Sequence, residues 1–152
     1  MFLDNISLMK DKNKLLFILK EGETLFVEFK ESFSDTLAKE IVGFANASGG
    51  SVFLGVDDDG KIKGILSTNS LKSRIQDLAR NCDPSINIEI VIYEELKIIE
   101  IKIKEGENKP YSCKSGFYLR IGPSSQKLKR DEIFRFISQS SAFHFDEIIN
   151  QQ

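Results

Sequence analysis

The stretch LAKEIVGFANASGGSVFLGVDDDG, residues 37–60, joins a helical pattern to an apolar strand pattern through two adjacent glycines. Apolar residues recur at the helical period over 37–45, and they predict a helix that ends at the glycine pair. The next segment, SVFLGV at 51–56, is a nearly continuous apolar run with β-branched and aromatic side chains, typical of a buried central strand. Asp59-Gly60 then predicts a hairpin turn. A helix followed at once by a central strand indicates a domain in which helices pack on a sheet.

The rest of the chain alternates between helical and strand periods. It predicts further helices at 7–20, 70–82 and 130–138, and strands at 25–30, 61–65, 86–93, 96–104, 111–113 and 117–121. The order α-β-α-β-β-α-β-β-β-β-α favours a single α+β domain, with a mixed sheet and helices packed against it. We expect an N-terminal helix at 1–20, the domain proper at 21–139, and a C-terminal tail at 140–152 that leads to a further region.

The chain has 152 residues and a mass of 17.2 kDa, and a domain of this size buries roughly 70% of its unfolded surface. Hydrophobic residues make up 41% and charged residues 29%, a balance that argues against a disordered or fibrous chain. Charged residues interrupt every apolar stretch before it reaches the roughly 18 residues of a membrane span. The first residues lack the pattern of a secretory signal. We therefore expect a cytoplasmic protein that does not bind membranes.

The charge is nearly balanced overall but uneven along the chain. Lys and Arg number 21 against 23 Asp and Glu, a formal net charge of −2, which argues against nucleic-acid binding by total charge alone. Residues 102–130, in contrast, contain eight basic residues and two acidic ones. This segment predicts a local basic surface on a near-neutral protein.

Cysteine and histidine are scarce. Cys82 and Cys113 form no CxxC motif, and the one histidine, His144, is distant in sequence from both. A structural zinc site takes four such ligands at close spacing, which this chain does not supply locally. We expect both thiols to be buried or unreactive in a reducing compartment, and the lone histidine argues against a Ser-His-Asp or Cys-His catalytic site.

Four motifs follow one another along the chain: ETLFVEFK at 23–30, GFANASGG at 43–50, GVDDDG at 55–60 and YLRIG at 118–122. Together they resemble the Schlafen AlbA-like (AlbA_2) domain family over roughly residues 20–138. The departures are small, with Gly43 standing where the family has Ala. The resemblance implies an Alba-like α+β fold and a DNA- or RNA-binding role, as the N-terminal part of a larger prokaryotic transcription regulator.

The resemblance also implies a nuclease site. In nuclease-competent Schlafens three acids cut tRNA or rRNA with a divalent metal, and their positions match Glu23, Glu28 and Asp58 here, with Lys30 as the lysine of the EFK motif. Such carboxylates would bind Mg²⁺ or Mn²⁺, which activates water, while the lysine holds a phosphate. Glu23 and Glu28 are five residues apart and would face opposite sides of a regular strand, so Glu23 must precede the strand. The alternative is that the carboxylates are solvated and that Glu28 and Lys30 form a surface pair.

Basic and aromatic residues supply candidate contacts to nucleic acid. Tyr118 and Arg120 share one face of a strand, where they would stack on a base and hold a phosphate; alternatively, Arg120 pairs with a nearby acid. Asn46 and the glycines after it either stop the helix or offer amides to a phosphate. The predicted nucleic-acid contacts are Lys30, Lys109, Lys114, Tyr118, Arg120, Lys127, Lys129 and Arg130.

Three functions therefore compete. The first is a nucleic-acid-binding domain, whose affinity would fall steeply with salt. The second is an endoribonuclease that takes Mg²⁺ or Mn²⁺ as its cofactor. The third is a dimerisation or protein-interaction module, which the near-neutral charge and the apolar residues of the tail favour. The expected partners are DNA or RNA and, in a homodimer, a second copy of the chain.

Overall fold

Four helices and seven strands are present in residues 2–139, the part of the chain that the computed structural model describes. The helices are α1 (Phe2–Glu21), α2 (Leu37–Asn46), α3 (Asn69–Arg80) and α4 (130–139). The strands are β1 (Val27–Lys30), β2 (Gly50–Leu54), β3 (Ile88–Tyr93), β4 (Ile98–Ile103), β5 (Ser112–Cys113), β6 (Gly116–Ile121) and β7 (Ser124–Lys127). They form one α+β domain, which confirms the predicted fold class.

The strands form two sheets. The larger has the order β1-β2-β4-β3, in which β1 and β2 are parallel and the other two pairs are antiparallel. The smaller is an antiparallel sheet of order β5-β6-β7. Helix α2 contacts both sheets, and it therefore links β1 and β2 to residues almost a hundred positions later in the chain.

The two faces of the larger sheet carry different cores. Alternate residues of the central strands, Val52 and Leu54 among them, pack toward α2 and α3. The residues between them, such as Phe53, pack with Phe29 and with Leu19 of α1. Because neighbouring residues of a strand point to opposite faces, the residues on either side of Phe29 in β1 point toward α2.

The structure differs from the predicted elements at 61–65, at the start of β1 and at β7. The segment 61–65 is not a strand: it makes one isolated bridge, from Ile62 to Val56, and then bonds as a loop to the carbonyls of Gly55 and Lys97. Strand β1 begins at Val27, since the two residues before it form a turn. Strand β7 was not predicted, because its sequence SSQK has no apolar alternation.

The expected tail at 140–152, with His144, lies outside the described residues. Within residues 2–139, the helices are too short or too polar to cross a bilayer.

Candidate functional site

A tight turn before β1 brings two acids of the first motif together. The backbone N–H of Thr24 donates to the carbonyl of Val27 at 3.0 Å, and the N–H of Val27 donates back at 3.3 Å. Because the chain reverses here, Glu23 lies opposite Glu28, in the pair of residues next to Thr24 and Val27. Glu23 thus precedes the strand, as a shared site for the two carboxylates requires.

Glu28 points toward α2 and lies at the centre of a buried ion cluster. Its Oε2 accepts a hydrogen bond from Nη2 of Arg120 at 3.1 Å, and its Oε1 lies 3.5 Å from Nζ of Lys30. The same Nη2 donates to the backbone carbonyls of Thr24 and Val27, each at 2.8 Å. The Arg120 side chain is 0% exposed. It therefore ties β6 to β1, and the interpretation in which Arg120 pairs with an acid is the one that the geometry shows.

Glu40 of α2 is a member of this cluster that the sequence reasoning missed. It is almost fully buried, and its Oε2 lies 3.5 Å from Nζ of Lys30. Lys30 thus stands between the carboxylates of Glu28 and Glu40. The sequence could have indicated that Glu40 is buried, because it lies three residues after Leu37 and one before Ile41, on the apolar face of the helix.

The environment of the cluster raises the pKa of both buried carboxyls. For Glu28 burial is the largest cause of the raised pKa, followed by the Glu23 carboxyl, while Arg120 acts in the opposite direction. For Glu40 burial again raises the pKa most, followed by the Glu28 carboxyl, and Lys30 opposes the shift. The cost of dehydrating two acids side by side therefore outweighs the attraction of the two cations.

The third predicted metal ligand, Asp58, belongs to a different feature. It is exposed in the turn after β2, a turn closed by Asp57, whose Oδ1 accepts from the N–H groups of Asp59 and Lys61 at 2.9 Å each. Among residues 2–139, no three Cys, His, Asp or Glu side chains are placed to hold one metal ion. The described residues therefore do not assemble Glu23, Glu28 and Asp58 into the three-carboxylate site that the resemblance implies, and Glu28 already has Lys30 and Arg120 as counter-ions.

Asn46 locks α2 to the second sheet. Its Nδ2 donates to the carbonyls of Tyr111 and Tyr118, at 2.9 and 2.8 Å, and its Oδ1 accepts from the N–H of Tyr111 at 2.7 Å. All three hydrogen bonds of this buried amide are made to backbone groups of the protein itself. Helix α2 ends at Asn46, and the N–H of Gly49 donates to the carbonyl of Phe44 at 2.9 Å, as the interpretation of the motif as a helix stop expects.

Three of the predicted nucleic-acid contacts meet at one end of the smaller sheet. Tyr118 of β6 pairs across the strands with Lys127 of β7. Lys114 lies in the turn between β5 and β6, where the hydroxyl of Ser115 is 3.0 Å from that of Tyr118. Lys114 and Lys127 are exposed, and neither forms an ion pair with another described residue. We name Lys114, Tyr118 and Lys127 the sheet-end patch.

The remaining predicted contacts are placed differently. Lys109 has structural partners, donating to the carbonyl of Ala47 at 3.1 Å and pairing with Glu105 at 2.8 Å. Lys129 is exposed just before α4, and the guanidinium of Arg130 lies over the ring of Phe134 at 5.6 Å. Lys129 and Arg130 therefore extend the basic surface beyond β7.

Comparisons with known proteins agree with this architecture. The crystal structure of the DIP2311 protein from Corynebacterium diphtheriae has a TM-score of 0.59 and 20% identity, over 89% of this chain and 29% of that chain. At that identity the likeness shows the fold, and the present chain spans less than a third of that protein. No curated protein matches the chain. A family model described as Schlafen, AlbA_2 matches residues 23–129, well over half of the sequence. The chain therefore belongs to the Schlafen AlbA_2 family.

Proposed function

We propose that this domain binds DNA or RNA and that the sheet-end patch contacts the nucleic acid. The observation that carries the proposal is the pairing of Tyr118 with Lys127 across β6 and β7, with Lys114 in the adjoining turn. The two exposed lysines would neutralise phosphates, and the Tyr118 ring, which is half-buried and packs against the core, would offer its exposed part to a base. Membership in the AlbA_2 family suggests a nucleic-acid-related role and supports the proposal.

Binding through this patch must depend on salt. Each phosphate neutralised by a lysine releases counterions, so the plot of log K against log salt loses about 0.7 to 0.9 in slope for each contact removed. We expect the double variant Lys114→Ala/Lys127→Ala to bind labelled tRNA or single-stranded DNA more weakly at low salt, with a slope smaller by about 1.4 to 1.8. Fluorescence anisotropy over a salt series measures both quantities.

The matched control is Lys10→Ala/Lys14→Ala, which removes two exposed lysines from α1. It changes the net charge by the same amount as the patch variant does, and it should keep the wild-type slope of log K against log salt. A wild-type domain that binds neither nucleic acid at low salt, or a control pair that matches the patch variant, would contradict the proposal.

An endoribonuclease is the second candidate, favoured by the position of Glu23 beside Glu28. Incubation of labelled tRNA with the domain, with Mn²⁺ or with EDTA, separates cleavage from binding. The informative variants are Glu23→Gln and Asp58→Asn, because neither side chain is buried. Glu28→Gln alters the buried pair with Arg120 and therefore needs a stability measurement beside it. Metal-dependent cleavage lost in Glu23→Gln would favour the nuclease over the binding domain.

The wider setting is also a proposal. We infer that the domain works in the cytoplasm as the N-terminal part of a larger transcription regulator, in which it supplies the contact to nucleic acid. The family's occurrence in such proteins supports this setting. If the domain bound no nucleic acid, the result would favour a protein-interaction module instead.

A further inference from the structure

Strand β3 forms an unguarded edge of the larger sheet. The strand order ends at β3, which pairs only with β4 among the described residues, in a continuous register without a bulge. Its sequence, IEIVIY, contains one charged residue, Glu89, and neither lysine nor proline. Natural proteins usually protect a free edge with lysine, other charged residues or proline, with bulges, or with a covering segment. This edge is therefore suited to accept another strand.

A groove of about 480 Å³ runs beside the edge, between β3 and α3. Two half-buried side chains of β3, Ile90 and Ile92, give it an apolar floor. The wall on α3 carries polar and charged side chains: Lys72, Ser73, Gln76 and Asp77. Leu66, which is 71% exposed, lines a neighbouring hollow that also includes Ile92. Apolar surface thus continues along the free edge.

Helix α3 runs antiparallel to β3. The N–H of Ile65, shortly before α3, donates to the carbonyl of Lys97, which follows β3. The N–H of Ile86, shortly before β3, donates to the carbonyl of Ala79 near the end of α3. The first turns of α3 therefore lie beside the end of β3, and its last turns lie beside the start of β3. The two charged side chains of the groove come from different halves of α3, Lys72 from the first and Asp77 from the second. They consequently lie toward opposite ends of the groove.

We propose that β3 and α3 form the interface of a homodimer in which the two β3 strands pair antiparallel. Such a contact is isologous, so each side must complement itself. With opposite charges at opposite ends of the groove, Lys72 of each protomer faces the partner's Asp77. A register centred on Val91 places Glu89 opposite the partner's Tyr93, which keeps like charges apart. The two four-stranded sheets then become one continuous sheet.

A second copy satisfies this surface better than an unrelated extended peptide. A peptide would have to bring an edge strand, an acid and a base at matching positions, whereas the two-fold operation supplies all three from β3, Lys72 and Asp77. The groove lies on the larger sheet, apart from the sheet-end patch, so the dimer does not depend on the proposed nucleic-acid function.

Sedimentation velocity of the full chain over a concentration series tests the proposal. At low ionic strength we expect a reversible dimer with a Kd in about the micromolar range. Lys72→Asp and Asp77→Lys each place like charges opposite one another in the homodimer, and each should weaken self-association by about tenfold or more. An equimolar mixture of the two variants should regain dimerisation, because each contact then joins an acid to a lysine.

Lys10→Asp is the matched control, since it reverses one exposed lysine on α1 and should associate like the wild type. Hydrogen exchange adds an independent measurement: the amides of β3 should exchange more slowly at high protein concentration in the wild type than in Lys72→Asp. Both variants change side chains outside the core, and circular dichroism checks that they fold. A chain that stays monomeric throughout the series, or a mixture that associates no more tightly than its components, would overturn the proposal.

Discussion

The guanidinium of Arg120 and the carboxylate of Glu28 are both removed from water, and each depends on the other. Burial alone would make either charge costly, and the bond between them and the two carbonyl acceptors of Arg120 offset part of that cost. Removing one member of a buried pair typically costs about 3 to 5 kcal/mol because the other charge is left unpaired. A loss of activity in a Glu28 variant therefore has two readings, chemical and structural, which only a stability measurement separates.

Glu40 provides the first prediction at this scale. Its pKa is raised above the ordinary value of 4.5, chiefly by burial. The folded state therefore binds a proton more tightly than the unfolded state does, and the contribution of Glu40 to stability falls as the pH rises above that value. In Glu40→Gln the group no longer titrates. We expect the free energy of unfolding of the wild type, minus that of the variant, to decrease as the pH rises from about 4.5 toward 8.

Urea unfolding at a series of pH values measures this difference. The exposed Leu16 supplies the control, because Leu16→Ala removes no titratable group and should give a difference that is nearly independent of pH in the same window. A difference for Glu40→Gln that grows with pH would show that Lys30 and Arg120 dominate the cluster and would contradict the assigned direction.

At the scale of elements, α2 and the smaller sheet can approach closely because Gly43 of α2 has no side chain. A Cβ at Gly43 would lie 2.7 Å from Oγ of Ser125 and 3.0 Å from its Cβ. Gly43→Ala should therefore push β7 away from α2 and destabilise the domain by about 1 to 3 kcal/mol. Ser125→Gly removes the obstructing atoms, so in the double variant the cost of the alanine should largely disappear.

A double-mutant cycle from urea unfolding measures this coupling. If Gly43→Ala cost the same with serine or glycine at position 125, the contact would not be the cause. The close approach of Ser125 thus leaves no room at position 43 for the methyl group of an alanine.

Local patterns in the sequence predicted most elements: the helices show their buried face as a period, and the central strand β2, which is buried on both faces, shows a continuous apolar run. Strand β7 could not be found in this way, since SSQK shows no apolar period and pairs through its backbone. The ion cluster was also only partly predictable. Glu28 and Lys30 share a strand face, but Glu40 and Arg120 reach them from other elements, 12 and 92 residues after Glu28, which only the packing of α2 reveals.

For the whole molecule, the question is whether α1 is an appendage or part of the fold. The family model begins at residue 23, after α1, and the sequence separates a helix at 1–20 from the domain. The structure places Leu15 and Leu19 in a core shared with Phe29 and Phe53. The apolar part of one face of the larger sheet, formed by Phe29, Phe53 and Ile98, is thus covered by α1, and the domain needs the helix to bury it.

Neighbouring leucines on α1 test this dependence. Leu19→Ala should destabilise the whole domain by about 2 to 5 kcal/mol, because it leaves a cavity against the sheet. Leu16→Ala is the matched control: Leu16 is 42% exposed, and its loss should change the free energy of unfolding by no more than about 0.5 kcal/mol. Both follow from urea unfolding monitored by tyrosine fluorescence and circular dichroism. If Leu19→Ala melted only α1 and left the unfolding midpoint of the sheet unchanged, the helix would be an appendage; a single shifted transition places it in the cooperative core.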